Sequence, residues 1–319
     1  MIWKTNRLDY YAEDCFSGMS KTMPGLWKKG YIQKNAGVIM RSEPCLDRFA
    51  VIVSGGAGNG PLFPGYVGEG LADAAAVGGP FSAPNAYAIY EAGKYLGKEQ
   101  GVLLLYNNFA GDYLNNDMAK ELLETDGISV ESVISNDDIA SALGEARENR
   151  SGRVGIALLI KLAGACAAAG IDLKETAARL RHANTRLGTL SLHLDNAQTL
   201  ISYGAGFSGE PPIRTADHMD MGLAASEVLE MLLEDLQPQQ DESLFLLVNR
   251  LRLTSFPDGY IFANMLFDTL SESYRVEQMR VGTFSNIMDI YGFDVSLLCM
   301  DEETAALMGN CINADNFII

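Results

Sequence analysis

Three glycine-bearing segments carry the residues that could do chemistry. The first is Ser54-Gly-Gly-Ala-Gly-Asn-Gly-Pro61, directly after the apolar run Phe49-Ala-Val-Ile-Val53. At the carboxyl end of a buried strand backbone N–H groups are left free, and glycines let a ligand approach them, so the turn suits an anion or a polyol. A purely structural tight turn would use the same glycines. Its spacing, Gly56-x-Gly58-x-Gly60, is not the GxGxxG of dinucleotide folds, and GxxxxGK[ST] occurs nowhere in the chain. The second segment is Tyr106-Asn-Asn-Phe-Ala-Gly-Asp112, where a carboxylate just past a strand is placed to take a proton from a hydroxyl. Asp112 also precedes a helix expected from Tyr113, and capping alone would explain an Asp there. The third is Gly204-Ala-Gly-Phe-Ser-Gly-Glu-Pro-Pro212, whose glycines and prolines fix an unusual path and expose Ser208 and Glu210. The GxSxG spacing of a nucleophile elbow is not met there. His182, His193 and His218 show no HxH or HxxxH spacing, and the five cysteines form no CxxC pair, so no metal site is expected.

Elements that would position these segments read as an α/β chain. Arg48–Ser54 and Gly101–Tyr106 are short continuous apolar runs of the kind buried in a parallel sheet. Ser82, just ahead of Pro84, reads as the cap of a helix reaching Leu96. Leu114, Met118, Leu122 and Leu123 mark a helix over 113–125, and Ile128–Ile134 alternates as a strand. Two helices follow, over 154–171 and 173–183. Leu187–Leu194 and Thr199–Gly204 read as strands of a hairpin around Asp195-Asn196. A helix over about 218–236 and further strands and helices to Glu302 complete the rhythm. The first 45 residues have no clean period and are expected as short helices and loops. The boundary falls at the hairpin, giving domains 1–184 and 185–319.

Composition narrows the function classes. Among 319 residues, 48% are hydrophobic and 20% charged, an ordinary globular balance. The net charge is −17: residues 185–319 hold six Arg and no Lys against 20 Asp and Glu, a net of −14. A body this acidic repels phosphate backbones and anionic lipids, so neither nucleic acid nor membrane is an expected partner. Solubility and a docking face for a basic protein both fit this charge. The odd cysteine count and the polar start, Met1-Ile-Trp-Lys, point to the cytoplasm. Val154–Ile171 is apolar enough to suggest a span, but Lys161 and its many small residues favour a buried core helix.

Taken together, the motifs resemble a known family. Ser54-Gly-Gly-Ala-Gly-Asn-Gly-Pro61, Gly65-Tyr-Val-Gly-Glu-Gly-Leu-Ala-Asp-Ala-Ala75, Phe81-Ser-Ala-Pro84, Gly111-Asp112, Asn136-Asp-Asp138, Gly206-Phe-Ser-Gly-Glu-Pro211, Val281-Gly-Thr-Phe and Gly292-Phe-Asp-Val-Ser-Leu-Leu298 resemble the dihydroxyacetone kinase substrate-binding subunit, in the family's order from about residue 15 to 310. The resemblance implies two α/β domains, a homodimer, and a small hydroxy-ketone or polyol as ligand. It also implies that this chain binds no cofactor. The phosphoryl donor, ATP or ADP-carried phosphate, would sit on a nucleotide-binding kinase subunit, and some relatives act through a regulator protein instead. Asp112 matches the family's acid/base position and Gly56 the glycine that approaches the substrate. Asn59 stands where the family has a hydrogen-bonding histidine, Asn107 where it has a lysine, and Ser208 where it has the histidine that forms a hemiaminal. A serine hydroxyl without a neighbouring base is a far weaker nucleophile than imidazole, so non-covalent binding by Asn59, Asn107, Ser208 and backbone amides is expected.

Overall fold

The structure is a computed structural model that describes residues 10–33, 36–195, 197, 199–207, 209–217, 220–287 and 290–309. Two six-stranded sheets form the frame. The first holds β1 (Trp27–Gln33), β2 (Ala36–Arg41), β3 (Ala50–Gly55), β4 (Ala74–Val77), β5 (Val102–Asn107) and β6 (Val130–Ser135), in the order β1-β2-β4-β3-β5-β6. Its strands β4, β3, β5 and β6 run parallel, while β1 and β2 pair antiparallel at the edge. Strands β3 and β5 are buried along their whole length, so each needs cover on both faces, and alternation divides them. Ala50, Ile52, Val102, Leu104 and Tyr106 pack under α2 (Ala86–Leu96) and α3 (Ala110–Thr125). Val51, Val53, Leu103 and Leu105 face α4 (Ile156–Ala168) and α5 (Leu173–Thr185).

The second sheet has the order β11-β10-β12-β7-β8-β9. It contains β7 (Leu187–Leu194), β8 (Leu200–Tyr203), β9 (Arg214–Asp217), β10 (Ser243–Arg250), β11 (Val276–Gly282) and β12 (Tyr291–Met300). Helices α6 (Met221–Leu236) and α7 (Phe256–Ser271) cover one face through Val228, Leu232, Phe262 and Leu266. On the other face Leu187, Phe245, Leu247 and Leu298 join the cluster around α4, together with Met308 of α8 (Glu302–Gly309). Helix α4 thus lies between the sheets, and within Ile156–Ala167 only Lys161 is not buried. That placement explains an apolar run with no polar face. No helix among the described residues is long and apolar enough to cross a membrane. The helix comes close enough to its neighbours that a Cβ on Gly164 would lie 2.0 Å from the Gly70 carbonyl, so glycine is required there.

Towards the loop end of the seam the second sheet changes character. On the same face, Leu187 gives way to Thr189, Ser191 and His193 along β7, Leu298 to Ser296 and Asp294 along β12, and Leu247 to Asn249 along β10. All of these polar side chains are buried.

Several expectations shift. The first 45 residues contain α1 (Tyr11–Thr22) and the β1–β2 pair as well as loops. Helix α2 is capped by Asn85, whose side chain accepts from the Ala88 N–H, while the Ser82 hydroxyl accepts from Gly79 within the preceding loop. Helix α6 starts at Met221 after Asp220, and β9 occupies a stretch to which the sequence reading assigns no element. Part of 287–291 lies outside the described residues; Tyr291 begins β12.

Candidate functional site

The carboxyl ends of β3 and β5 open onto one cavity. After β3 the chain makes a 3-10 turn at Ala57–Asn59, and after β5 it enters α3 through Phe109. The cavity is about 500 Å³, lined by Gly56, Asn59, Pro80, Phe81, Ser82, Ala83, Phe109, Gly111, Asp112 and Phe207. That is ample for a small ligand: a triose has six non-hydrogen atoms, which at roughly the 30 Å³ of one water each fill under about 200 Å³. The turn glycines separate into two roles. A Cβ on Gly58 would lie 2.1 Å from the Pro80 carbonyl, so Gly58 serves the packing of the turn on its neighbour, whereas Gly56 faces the cavity.

Asp112 is inside the first turn of α3; the N-cap position belongs to Phe109, which makes no side-chain cap. The aspartate therefore does not cap the helix. It is 8% exposed, and its Oδ1 has no hydrogen-bond partner. Burial pushes its pKa up to about 7. The helix N-terminus favours the charged form by at most about 2 kcal/mol. Against it, a rise from 3.8 to about 7 corresponds to about 4 kcal/mol, so desolvation wins. An unpartnered carboxyl in a cavity wall, titrating near neutrality, is suited to accept a proton from a bound hydroxyl.

The structure brings Gly56, Asn59 and Asp112 together around the cavity. Asn107 is not in the lining: strand alternation sends it to the same side as Leu103 and Leu105, away from α3, where its Nδ2 donates to the Arg153 carbonyl at 3.3 Å. Ser208 and His218 lie outside the described residues; Phe207, next to Ser208, lines the cavity. The sequence reading missed Phe109, Ser82 and Phe207 as walls. Among the described residues no cluster of His, Cys, Asp and Glu could hold a metal ion.

Behind the cavity, on the seam, His193 is buried with its Nε2 unpartnered. Burial, followed by the Arg153 charge, pushes its pKa down to about 4. Between pH about 6.5 and about 4 the unfolded chain takes up a proton that the native imidazole refuses, so stability falls as pH falls through that window. The contribution at stake is about 3 kcal/mol. His193→Gln is expected to lose less stability than the native chain between pH 7 and pH 4.5 in thermal melts; an equal loss would show that His193 does not titrate this way.

Residues 18–315 match the Dak1 domain. The chain belongs to the Dak1 domain family. Over 283 residues, 84% of each chain, it is 31% identical to the dihydroxyacetone-binding subunit DhaK of PTS-dependent dihydroxyacetone kinase 2 from Listeria innocua. Two solved structures share the fold at 25% identity. One, described under regulation of the dha operon of Lactococcus lactis, has a TM-score of 0.89 over 99% of this chain and 97% of its own. The other, the dihydroxyacetone kinase operon co-activator Dha-DhaQ, has a TM-score of 0.87 over 94% and 96%. The resemblance read from the motifs and the α/β architecture both hold for this Dak1 chain.

Proposed function

We propose that this Dak1 chain is a cytoplasmic, homodimeric substrate-binding subunit of the dihydroxyacetone kinase type, which presents a small hydroxy-ketone or polyol for phosphorylation. The observation that carries this reading is the buried, unpartnered Oδ1 of Asp112 in the wall of a cavity at two strand ends. A ligand hydroxyl would donate to that oxygen and lose its proton to it as the hydroxyl oxygen bonds to phosphorus. The phosphorus–oxygen bond to the donor's leaving group breaks in the same step. The donor, ATP or ADP-carried phosphate, belongs to a nucleotide-binding partner. Binding is non-covalent. The described residues lining the cavity include no histidine, lysine or cysteine, and the resemblance sets Ser208 at the position of the hemiaminal histidine.

The test mixes the purified protein with nucleotide-binding kinase subunits and a panel of three- and four-carbon ketoses and polyols. Phosphorylated product is expected with one of them. No turnover, together with a thermal shift by one ligand, would replace this reading with a second: a catalytically silent metabolite sensor that acts on a regulator protein. The likeness to the co-activator structure favours that alternative. Continuous density from soaked dihydroxyacetone to Ser208 would overturn non-covalent binding.

A further inference from the structure

Two parts of the cavity wall come from loops of different sheets. Phe207 belongs to the loop after β8, and Asn59 to the turn after β3. Neither wall lies in a strand or an α-helix, so something must hold them at a fixed separation.

Arg153 grips the first wall from below. Its side chain is fully buried; Nη1 donates to the Ala205 carbonyl at 2.7 Å and the Phe207 ring lies 4.7 Å from the guanidinium. The same guanidinium is held by a carboxylate from each half of the chain, Asp138 at 3.3 Å and Asp294 at 2.7 Å. The second oxygen of Asp294 accepts from Asn249 Nδ2 at 2.8 Å. Asn249, also fully buried, uses its Oδ1 to accept from the Ser285 backbone N–H at 3.1 Å. Ser285 Oγ then donates to the Asn59 carbonyl at 3.3 Å, joined there by the Asn286 N–H at 3.2 Å. An unbroken series of polar contacts, buried from Arg153 to Ser285 and half-buried at its two ends, thus runs from Ala205, beside Phe207, to the Asn59 carbonyl. A buried polar series with every link made has discrete geometry, because shifting one member leaves its neighbours unpaired in a medium where that is costly. Apolar packing could stabilise the seam as well, but it would not tie one wall to the other.

We propose that Arg153, Asp294 and Asn249 are positioning residues that couple the loop after β8 to the turn after β3 and so set the width of the cavity. The coupling is a property of the cavity's shape and stands whether the bound ligand is phosphorylated or only sensed. None of the three touches the ligand; they act through Phe207 and Asn59.

Hydrogen exchange on the full-length chain, with no ligand present, tests this. Reporter amides on the first wall are Gly204, bonded to the Ser191 carbonyl, and Gly206, bonded to the Glu210 carbonyl. On the second wall they are Ala57, bonded to the Gly79 carbonyl, and Leu62, bonded to the Asn59 carbonyl. Arg153→Lys and Asn249→Ala are each expected to speed exchange about ten-fold or more at both walls, with amides of α6 unchanged. A structural role confined to each residue's surroundings would give a different pattern. Arg153→Lys would then loosen only Gly204 and Gly206, and Asn249→Ala only the amides near Asn59; that result overturns the proposal. Should Arg153→Lys not fold, Asn249→Ala read at Gly204 and Gly206 decides alone, and native rates there overturn it.

Discussion

Replacing Asp112 by asparagine is expected to lower phosphorylation by about 10²–10⁴-fold, the range typical of losing a general base. The amide keeps the shape and cannot take the proton. In the native protein the rate should rise with pH through about 7, where the carboxyl ionises, and then level; in Asp112→Asn the residual rate should be flat across that range. Stability should move the other way. The folded carboxyl holds its proton up to about pH 7 while the unfolded one releases it near 3.8. Between those values the native state carries the extra proton, so its stability falls as pH rises, by up to about 4 kcal/mol once both states are ionised. Asp112→Asn carries no such charge and should melt higher than the native chain at pH 8, with the difference vanishing near pH 4. Thermal melts at the two pH values separate this from a generic packing effect, which would give the same difference at both. Full turnover in the variant would remove Asp112 from the chemistry. A site residue that weakens the fold at working pH is the expected trade between stability and function.

How much of this was legible depends on whether alternation had a unique reading. Phe49–Ser54 and Gly101–Tyr106 stood out because strands covered on both faces are continuously apolar. The four residues of β4, Ala74-Ala-Ala-Val77, carry no strand signal of their own and are held between β2 and β3 by the sheet. Strands β1 and β2 were missed because β1, Trp-Lys-Lys-Gly-Tyr-Ile-Gln, is half-buried along almost its whole length and shows no clean alternation. At the site, Asp112 was found from its place beyond a strand. Its exact position was not, because α3 opens with Ala110 and Gly111 behind an uncapped Phe109, none of which announces a helix. Asn107 looked equally eligible from its neighbours, yet strand parity sends it to the other face. Thr189, Ser191 and His193 alternate with leucines as residues on a solvent-facing strand do. One chain's pattern distinguishes apolar surroundings from polar ones; it does not distinguish water from the buried polar seam against a second sheet. Arg153, in the polar stretch Glu148-Asn-Arg-Ser-Gly-Arg153, was hidden for the same reason.

The seam also predicts the largest stability effect, at Asp137. Its carboxylate is fully buried and accepts four hydrogen bonds: Oδ1 from Ser135 Oγ and the Arg153 N–H, both at 2.8 Å, and Oδ2 from the Gly155 N–H at 2.9 Å and Thr189 Oγ1 at 2.6 Å. These four donors come from the end of β6, the segment leading into α4 (Arg153 and Gly155), and β7, so one side chain fastens both sheets to the helix between them. In Asp137→Asn, each hydroxyl can turn to accept from the new amide, since Thr189 Oγ1 also has Ser296 Oγ at 2.7 Å to bond with. The backbone N–H groups cannot turn. Whichever way the amide is placed, its NH₂ faces either the Arg153 or the Gly155 N–H, and one buried donor loses its acceptor, at a cost of about 1–3 kcal/mol. Asp137→Ala orphans both N–H groups and leaves a void, which should cost on the order of 5 kcal/mol. That loss corresponds to a fall in Tm of roughly 7 °C for a chain of this length. The exposed Asp241→Asn is the control and should stay within about 0.5 kcal/mol of the native chain. Denaturant melts giving alanine below asparagine below native would confirm that the backbone donors, rather than charge alone, are what Asp137 serves. Asparagine indistinguishable from native would refute it.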